Sequence, residues 1–304
     1  MKPSMLITGG SGLLGTRWAL QMRDRFGITL GLHKRQTVVP GVGAESIALE
    51  STAAVARSLE RLGVEVVVHA AALTSVEACE ADPALAFRVN AEMAGNVARA
   101  CALCGAKLIH ISTDHLFSGE VPLQPETAPV EPLNCYARTK AEGEAQALDA
   151  CPGALVLRTN FFGWGLSYRQ SFSDRILEAL SAGQSIGHFT DLLFTPILMA
   201  RLIEAAHELY EKNQSGVFNL VGDERLSKYD FGVRLAQRVG LDPSPIVRVR
   251  FRDRGDLVRR PFDLSLSNRK ACSILGRGLG DVDAQIAGLV AEAAAAAGMA
   301  AARA

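Results

Sequence analysis

The sequence predicts an α/β protein, a doubly wound parallel sheet of Rossmann type with a smaller C-terminal α/β domain. Three observations carry that expectation. Short apolar runs alternate with helical stretches through roughly the first half of the chain, as successive βα units require. The run Val64, Glu65, Val66, Val67, Val68 is rich in β-branched residues, which suits a strand covered on both faces. A glycine-rich turn joins the first apolar run to the first helix. A length of 304 residues is enough for one large α/β unit or two modest domains with a substantial core.

The first strand reads from Met5, Leu6, Ile7 and Thr8, and it runs into Gly9, Gly10, Ser11, Gly12, Leu13, Leu14 and Gly15 before a helix over 13–25. Such a turn leaves backbone N–H groups and the positive end of the helix facing an anion, with no side chain in the way of a diphosphate. The spacing is G-x-x-G-x-x-G, which differs from the commonest dinucleotide fingerprint. A second strand over 28–32 ends at His33, Lys34 and Arg35. An acidic residue at this strand end suits the ribose of NAD, and basic residues suit the 2′-phosphate of NADP. The reading is therefore NADP(H) as the preferred cofactor, with NAD(H) as the alternative.

A third strand is expected over 46–49, then an amphipathic helix over 52–62. The strand over 64–69 ends in Ala70, Ala71 and Ala72, small residues that let a ligand lie against the backbone. His69 at that end reads as a packed histidine. A helix over 83–103 carries Asn90, and the strand over 106–111 delivers Ser112, Thr113, Asp114 and His115. Carboxyl ends of strands in open parallel sheets are where ligands bind. Prolines 122, 125, 129 and 132 stiffen the loop that follows.

Tyr136 and Lys140 then sit about one helical turn apart, on one face of a helix. A fixed positive charge near a phenol favours the phenolate and moves it toward working pH, where it can pass a proton. Another strand over 154–160 ends at Asn160 and Phe161. Beyond it the alternation loosens into helices over 172–182, 197–211 and 228–239, with strands at 185–186 and 216–221. Six arginines (248, 250, 252, 254, 259 and 260) make 248–260 basic. That segment reads either as a grip on a substrate diphosphate or as a solvated loop partly neutralised by Asp253 and Asp256. The alanine-rich stretch 291–304 reads as a packing or fraying tail.

Composition excludes some classes. Lys plus Arg equals Asp plus Glu at 32 each, so no global field draws nucleic acid or an anionic membrane. No apolar run approaches the ~18 residues of a membrane span, and the N-terminal apolar run is far shorter than a signal-peptide core. Six cysteines form no regular framework, and Cys101 with Cys104 reads as core packing, so no metal site is expected. The expectation is a cytoplasmic protein.

Taken together, 8–15, Ser112, Thr113 and Asp114, and the Tyr136/Lys140 pair resemble the extended short-chain dehydrogenase/reductases. Within them the chain looks most like the dTDP-4-dehydrorhamnose reductase group. Supporting stretches are 67–72, 88–91, 132–136, 157–159, Arg260 with Pro261, and 265–267.

The resemblance implies a nucleotide domain over 1–160, with about 190–222 returning to it, and a substrate domain over 161–189 and 223–304. It implies a nucleotide-linked keto-sugar as substrate and leaves room for a homodimer. Tyr136 would donate the proton as nicotinamide delivers hydride, Lys140 would lower the phenol pKa and hold the nicotinamide ribose, and Thr113 would bond the reacting oxygen. Gly9, Ser11, Gly12, Leu13, Leu14 and Gly15 would surround the cofactor diphosphate, and Ala70 to Ala72 and Asn90 would lie along the cofactor. Asp114, His115, Asn160, Phe161 and Arg260 would face the substrate.

The reductases usually carry tyrosine at the position of His115 and tryptophan at that of Phe161, and 191–196 also departs from their pattern. The sugar stays open. Two further readings stay open beside the reductase, a nucleotide-sugar epimerase or dehydratase and a non-catalytic NADP-binding regulatory subunit.

Overall fold

A computed structural model describes residues 2–301 of the chain, with side chains through residue 294. In order, the first lobe is built from β1 (Ser4–Thr8), α1 (Leu13–Met22), β2 (Gly27–Leu32), β3 (Gly43–Ser46), α2 (Thr52–Leu62) and β4 (Val66–His69). Next come α3 (Val76–Ala81), α4 (Pro83–Phe87), a π-helical turn (Arg88–Glu92), α5 (Met93–Cys104), β5 (Lys107–Ile111), α6 (Cys135–Ala150) and β6 (Leu155–Arg158). The remainder runs β7 (Phe161–Phe162), α7 (Phe172–Ser181), β8 (Ile186–Phe189), β9 (Leu193–Phe194), β10 (Ile197–Leu198), α8 (Met199–Glu211) and β11 (Gly216–Asn219). It closes with β12 (Leu226–Ser227), α9 (Lys228–Arg238), β13 (Ile246–Val249), α10 (Arg269–Leu275) and α11 (Val282–Ala301).

Seven strands form one parallel sheet in the order β11-β6-β5-β4-β1-β2-β3. The strand order reverses at β1, and the crevice over the carboxyl ends there is where such sheets hold ligands. Alternate residues of β1 feed opposite faces of the sheet. Met5 and Ile7 join Trp18, Leu30, Leu202 and Phe218 in one core. Leu6 joins Val55, Leu59, Val97 and Leu108 in the other. The apolar periodicity of the sequence is thus consumed in covering both faces, where each fully buried aliphatic side chain contributes about 1.5–3 kcal/mol.

The second lobe has its own core around Phe162, Ile176, Phe194, Phe231, Leu235 and Ile286. Three two-stranded pairs frame it: β7 with β10, β9 with β12, and β8 with β13.

Several boundaries differ from expectation. The third strand runs over Gly43–Ser46 rather than 46–49. Ile47 keeps one ladder-like bond, its N–H donating to Leu32 O at 3.2 Å, before the chain leaves the sheet. Its apolar side chain is buried in the core with Leu6 and Val67. The first helix stops at Met22, because the N–H groups of Arg25 and Phe26 both turn back to the Met22 carbonyl and bury Phe26. The helix expected at 197–211 begins at Met199, and 197–198 pairs with β7 instead. The helix expected at 83–103 is continuous but contains the π turn around Asn90. The far end of the alanine-rich tail lies outside the described residues from 302 onward.

Candidate active site

Two adjoining cavities of about 420 and 320 Å³ lie over the carboxyl ends of β1, β4 and β5. Gly9, Gly12, Ala70 and Ala72 border both, so they form one cleft. The glycine turn explains the narrow join. Gly9 has φ +68°, and a Cβ there would lie 2.7 Å from the Ala71 nitrogen, so only glycine lets the two strand ends approach. Helix α1 starts from Gly12 with no side-chain cap and no acid in its first turn. Its free N–H groups and positive end are therefore available to an anion, and this cradle fits the diphosphate of a dinucleotide.

The larger cavity is bounded by Ser11, His33 and Arg35 beside Ala71. Lys34 is exposed and does not line it. Glu50, Val89 and Met93 do. Val89 falls in the supporting stretch 88–91, whereas Glu50 and Met93 stand outside every motif quoted from the sequence. The smaller cavity gathers Leu13, Leu14 and Gly15 with Thr113, Asp114 and His115, and with Tyr136, Lys140, Asn160 and Phe161. Residues far apart in the sequence thus converge on one wall.

Helix α6 presents the Tyr–Lys pair. Asn134 caps it, accepting from Ala137 N at 2.9 Å while donating to Arg259 O at 2.9 Å; a cap of this kind stabilises a helix by about 1 kcal/mol. Lys140 is buried and donates from Nζ to the Ile111 carbonyl at 2.7 Å, across to the end of β5. Burial lowers its pKa to about 8, with Glu144 opposing.

Tyr136 is also buried, and desolvation pushes its phenol well above the ordinary range despite a hydrogen bond with Thr113. The expectation that Lys140 draws the phenol toward working pH is therefore reversed in this environment: burial dominates, and Tyr136 keeps its proton at neutral pH. The His115 ring meets the Tyr136 ring edge-on at 5.4 Å. Its pKa is lowered by burial, with Asp114 opposing. Asp114 accepts from Asn160 Nδ2 and, at 3.3 Å, from Thr113 Oγ1.

Two expected site residues serve elsewhere. Asn90 does not line the cleft. From the π turn its amide accepts from Leu73 N at 2.8 Å and donates to Leu73 O and Thr139 Oγ1 at 3.1 Å each. It holds the segment after β4 against α6, and so positions residues that do line the cleft. Arg260 pairs with Glu77 and lies outside the cavity lining. In the same segment Arg252 pairs with Asp191 at 3.0 Å and Arg254 with Asp256 at 2.6 Å, and none of its arginines lines either cavity. A diphosphate grip by this segment is not what the geometry offers.

Lys228, which opens α9, lies over the Phe194 ring at 3.3 Å. Burial lowers its pKa to about 7 against the pull of Asp114. Beneath the cleft, His69 and His110 stack at 5.4 Å, and Thr8 Oγ1 lies 2.8 Å from His69 Nδ1. The packed reading of His69 agrees with this. All six cysteines are free, and among the described residues no helix is long and apolar enough to cross a membrane.

Comparison with known proteins gives the same picture over most of the chain. A probable low-salt glycan biosynthesis reductase of Haloferax volcanii is 29% identical over 244 residues, 79% of this chain and 81% of that one. A dTDP-4-dehydrorhamnose reductase of Mycobacterium tuberculosis is 30% identical over 250 residues, covering 80% and 77%. The crystal structure of the Bacillus anthracis dTDP-4-dehydrorhamnose reductase in complex with NADP superposes with a TM-score of 0.85 at 21% identity, over 96% of this chain and 100% of that one. Residues 1–295 match the RmlD substrate binding domain family. The chain belongs to that family, within the extended short-chain dehydrogenase/reductases that its motifs resemble.

Proposed function

We propose that the protein is an NADPH-dependent reductase of a keto group on a nucleotide-linked sugar, similar to the dTDP-4-dehydrorhamnose reductases, with Tyr136 as proton donor. The observation that carries this reading is the convergence of Thr113, Tyr136 and Lys140 on one wall of a cleft whose other end is a glycine-lined anion cradle. NADPH, when bound, supplies hydride to the carbonyl carbon. Tyr136, held protonated by burial, gives its proton to the carbonyl oxygen as charge develops there. Thr113, whose hydroxyl donates to Asp114 at 3.3 Å on the same cavity wall, turns that donor to the same oxygen when the substrate is bound.

Lys140, anchored on the Ile111 carbonyl, holds a positive charge beside the region where negative charge forms and then helps the phenolate recover a proton. Ala70 to Ala72 leave room for the flat faces of the cofactor. His33 and Arg35 at the far end favour a 2′-phosphate. Asp114, His115, Asn160 and Phe161 face the sugar, and the protein acts as a cytoplasmic enzyme of polysaccharide assembly.

The test is a panel of nucleotide-linked 4-keto sugars assayed for NADPH oxidation, with NADH alongside. Net consumption of NADPH with one of them is the expected result. A tightly retained cofactor with no net oxidation points to an epimerase or dehydratase and sinks the reductase reading.

A further inference from the structure

We propose that the turn bearing Tyr168 and Arg169 completes the cofactor site, with Arg169 as a ligand of the cofactor diphosphate and Tyr168 as the latch holding the turn across the cleft. The proposal rests on the reading of the cleft as a dinucleotide site. It adds a contact from the second lobe, which none of the glycine, basic or Tyr–Lys motifs contains.

The turn lies between β7 and α7 and is closed on itself. Leu166 N donates to Arg169 O at 2.8 Å and Arg169 N to Leu166 O at 2.9 Å, leaving Ser167 and Tyr168 at the tip. Its base is set by the capping box of α7, in which Asp174 N donates to Ser171 Oγ at 3.0 Å and Ser171 N to Asp174 Oδ2 at 2.7 Å. Phe172 and Leu177 of α7 pack against the core of the second lobe. The turn is therefore an outgrowth of that lobe.

From this base the turn reaches the first lobe. Tyr168 Oη donates to the Ser11 carbonyl of the glycine turn at 3.0 Å. The Arg35 guanidinium lies over the Tyr168 ring at 4.6 Å, a cation–π distance. One tyrosine thus touches both the glycine turn and the basic end of β2.

Arg169 borders both cavities. Among the described residues, the others that border both are Gly9, Gly12, Ala70 and Ala72, so Arg169 is the one charge at the junction. Among the described residues no carboxylate lies within 4.0 Å of its guanidinium, whereas Arg252, Arg254 and Arg260 each have such a partner. An anion at the junction meets the N–H groups at the start of α1 on one side and a forked guanidinium on the other. In a dinucleotide, the group between the adenosine and nicotinamide halves is the diphosphate, and the junction lies between the two cavities.

The experiment is equilibrium binding to the full-length chain, with NADPH and 2′-AMP as probes, because 2′-AMP carries the adenosine and its phosphate but no diphosphate. Arg169→Met is expected to raise the Kd for NADPH by about ten- to a hundredfold and to leave the Kd for 2′-AMP unchanged. Arg35→Met is expected to weaken both. Tyr168→Phe keeps the ring under Arg35 but loses the bond to Ser11, so stopped-flow release of NADPH is expected to quicken severalfold.

Wild-type NADPH affinity in Arg169→Met overturns the proposal. A parallel loss of 2′-AMP binding overturns it as well, since that marks general damage to the cleft. A wild-type chain that binds neither NADPH nor NADH removes the dinucleotide reading itself, and the proposal with it.

Discussion

Asn90 donates a hydrogen bond to Thr139 Oγ1 at 3.1 Å, and this contact ties the π turn to the helix that carries Tyr136 and Lys140. The same amide holds both backbone groups of Leu73. Insertions of π geometry into α-helices recur at functional sites, and here the turn brings the Asn90 carbonyl close enough to α6 that Gly143 has no room for a Cβ. Asn90→Ala strands those partners and is expected to lower stability by about 1–3 kcal/mol and to reduce kcat, because the wall of the cleft loses its common brace. Urea unfolding and steady-state kinetics check this. A stability change under about 0.5 kcal/mol, the level of an ordinary surface substitution, contradicts the bracing role.

Tyr136→Phe removes only the hydroxyl from a buried ring that already packs edge-on against His115. Turnover is expected to fall by roughly a hundred- to ten-thousandfold, the range for loss of a general acid, while NADPH affinity stays within about twofold. Retained turnover would falsify the assignment of the proton donor.

Lys140 makes stability depend on pH in a particular direction. Burial lowers its pKa from 10.5 to about 8, so between those values the unfolded chain binds more protons and stability rises with pH. The cost of burying the charge, about 3 kcal/mol for this shift, is fully present below pH 8 and relieved toward pH 10.5. Lys140→Met is therefore expected to be more stable than wild type at pH 7 by about 1–2 kcal/mol, net of the lost bond to Ile111, and inactive. Denaturant midpoints at pH 7 and pH 10 test this, because the advantage must shrink at the higher pH.

His69 and His110 give the acid counterpart. Burial lowers the pKa of His69 to about 3 and that of His110 well below the ordinary range, with Lys140 reinforcing both. Their neutral forms are stable above about pH 6.5, and stability is lost as acidification forces them to charge. Both ring nitrogens of His110 are buried without a partner among the described residues, so His110→Leu removes one of these penalties. The variant's unfolding free energy is expected to fall less steeply below about pH 6, by about 1.4 kcal/mol per pH unit. A slope equal to that of wild type between pH 7 and pH 5 contradicts this account.

The parts of the fold and site that were legible in the sequence are those governed by local rules. The β-branched run yielded β4, which begins at Val66 rather than at 64, the glycine turn opened α1, and the one-turn spacing of Tyr136 and Lys140 put both on the cleft wall. Roles that depend on a partner distant in sequence were not legible. Lys34 and Arg35 are adjacent and chemically alike, yet only Arg35 lines the cavity, because it alone stacks on Tyr168. Arg260 looked available until Glu77 was brought beside it by the packing of the two lobes. Tyr168 and Arg169 belong to a turn with no spacing signal. Only the closure of the chain puts them over the glycines.

Strand β11 pairs with β6 at the edge of the sheet, Val217 opposite Val156 and Phe218 opposite Leu157, although Arg158 and Gly216 are separated by the second-lobe elements β7 to β9 and by helix α8, which packs back on the sheet. During synthesis, the edge of β6 waits unpaired until that whole excursion has emerged. Domain-by-domain folding of the nascent chain, the usual course for larger proteins, therefore cannot complete the first lobe's sheet from its N-terminal 160 residues alone. A fragment ending near residue 160 exposes an open strand edge and the apolar surface that Phe218 covers, and such edges recruit other chains. The sheet under the cleft therefore closes only in a chain whose synthesis has passed Asn219.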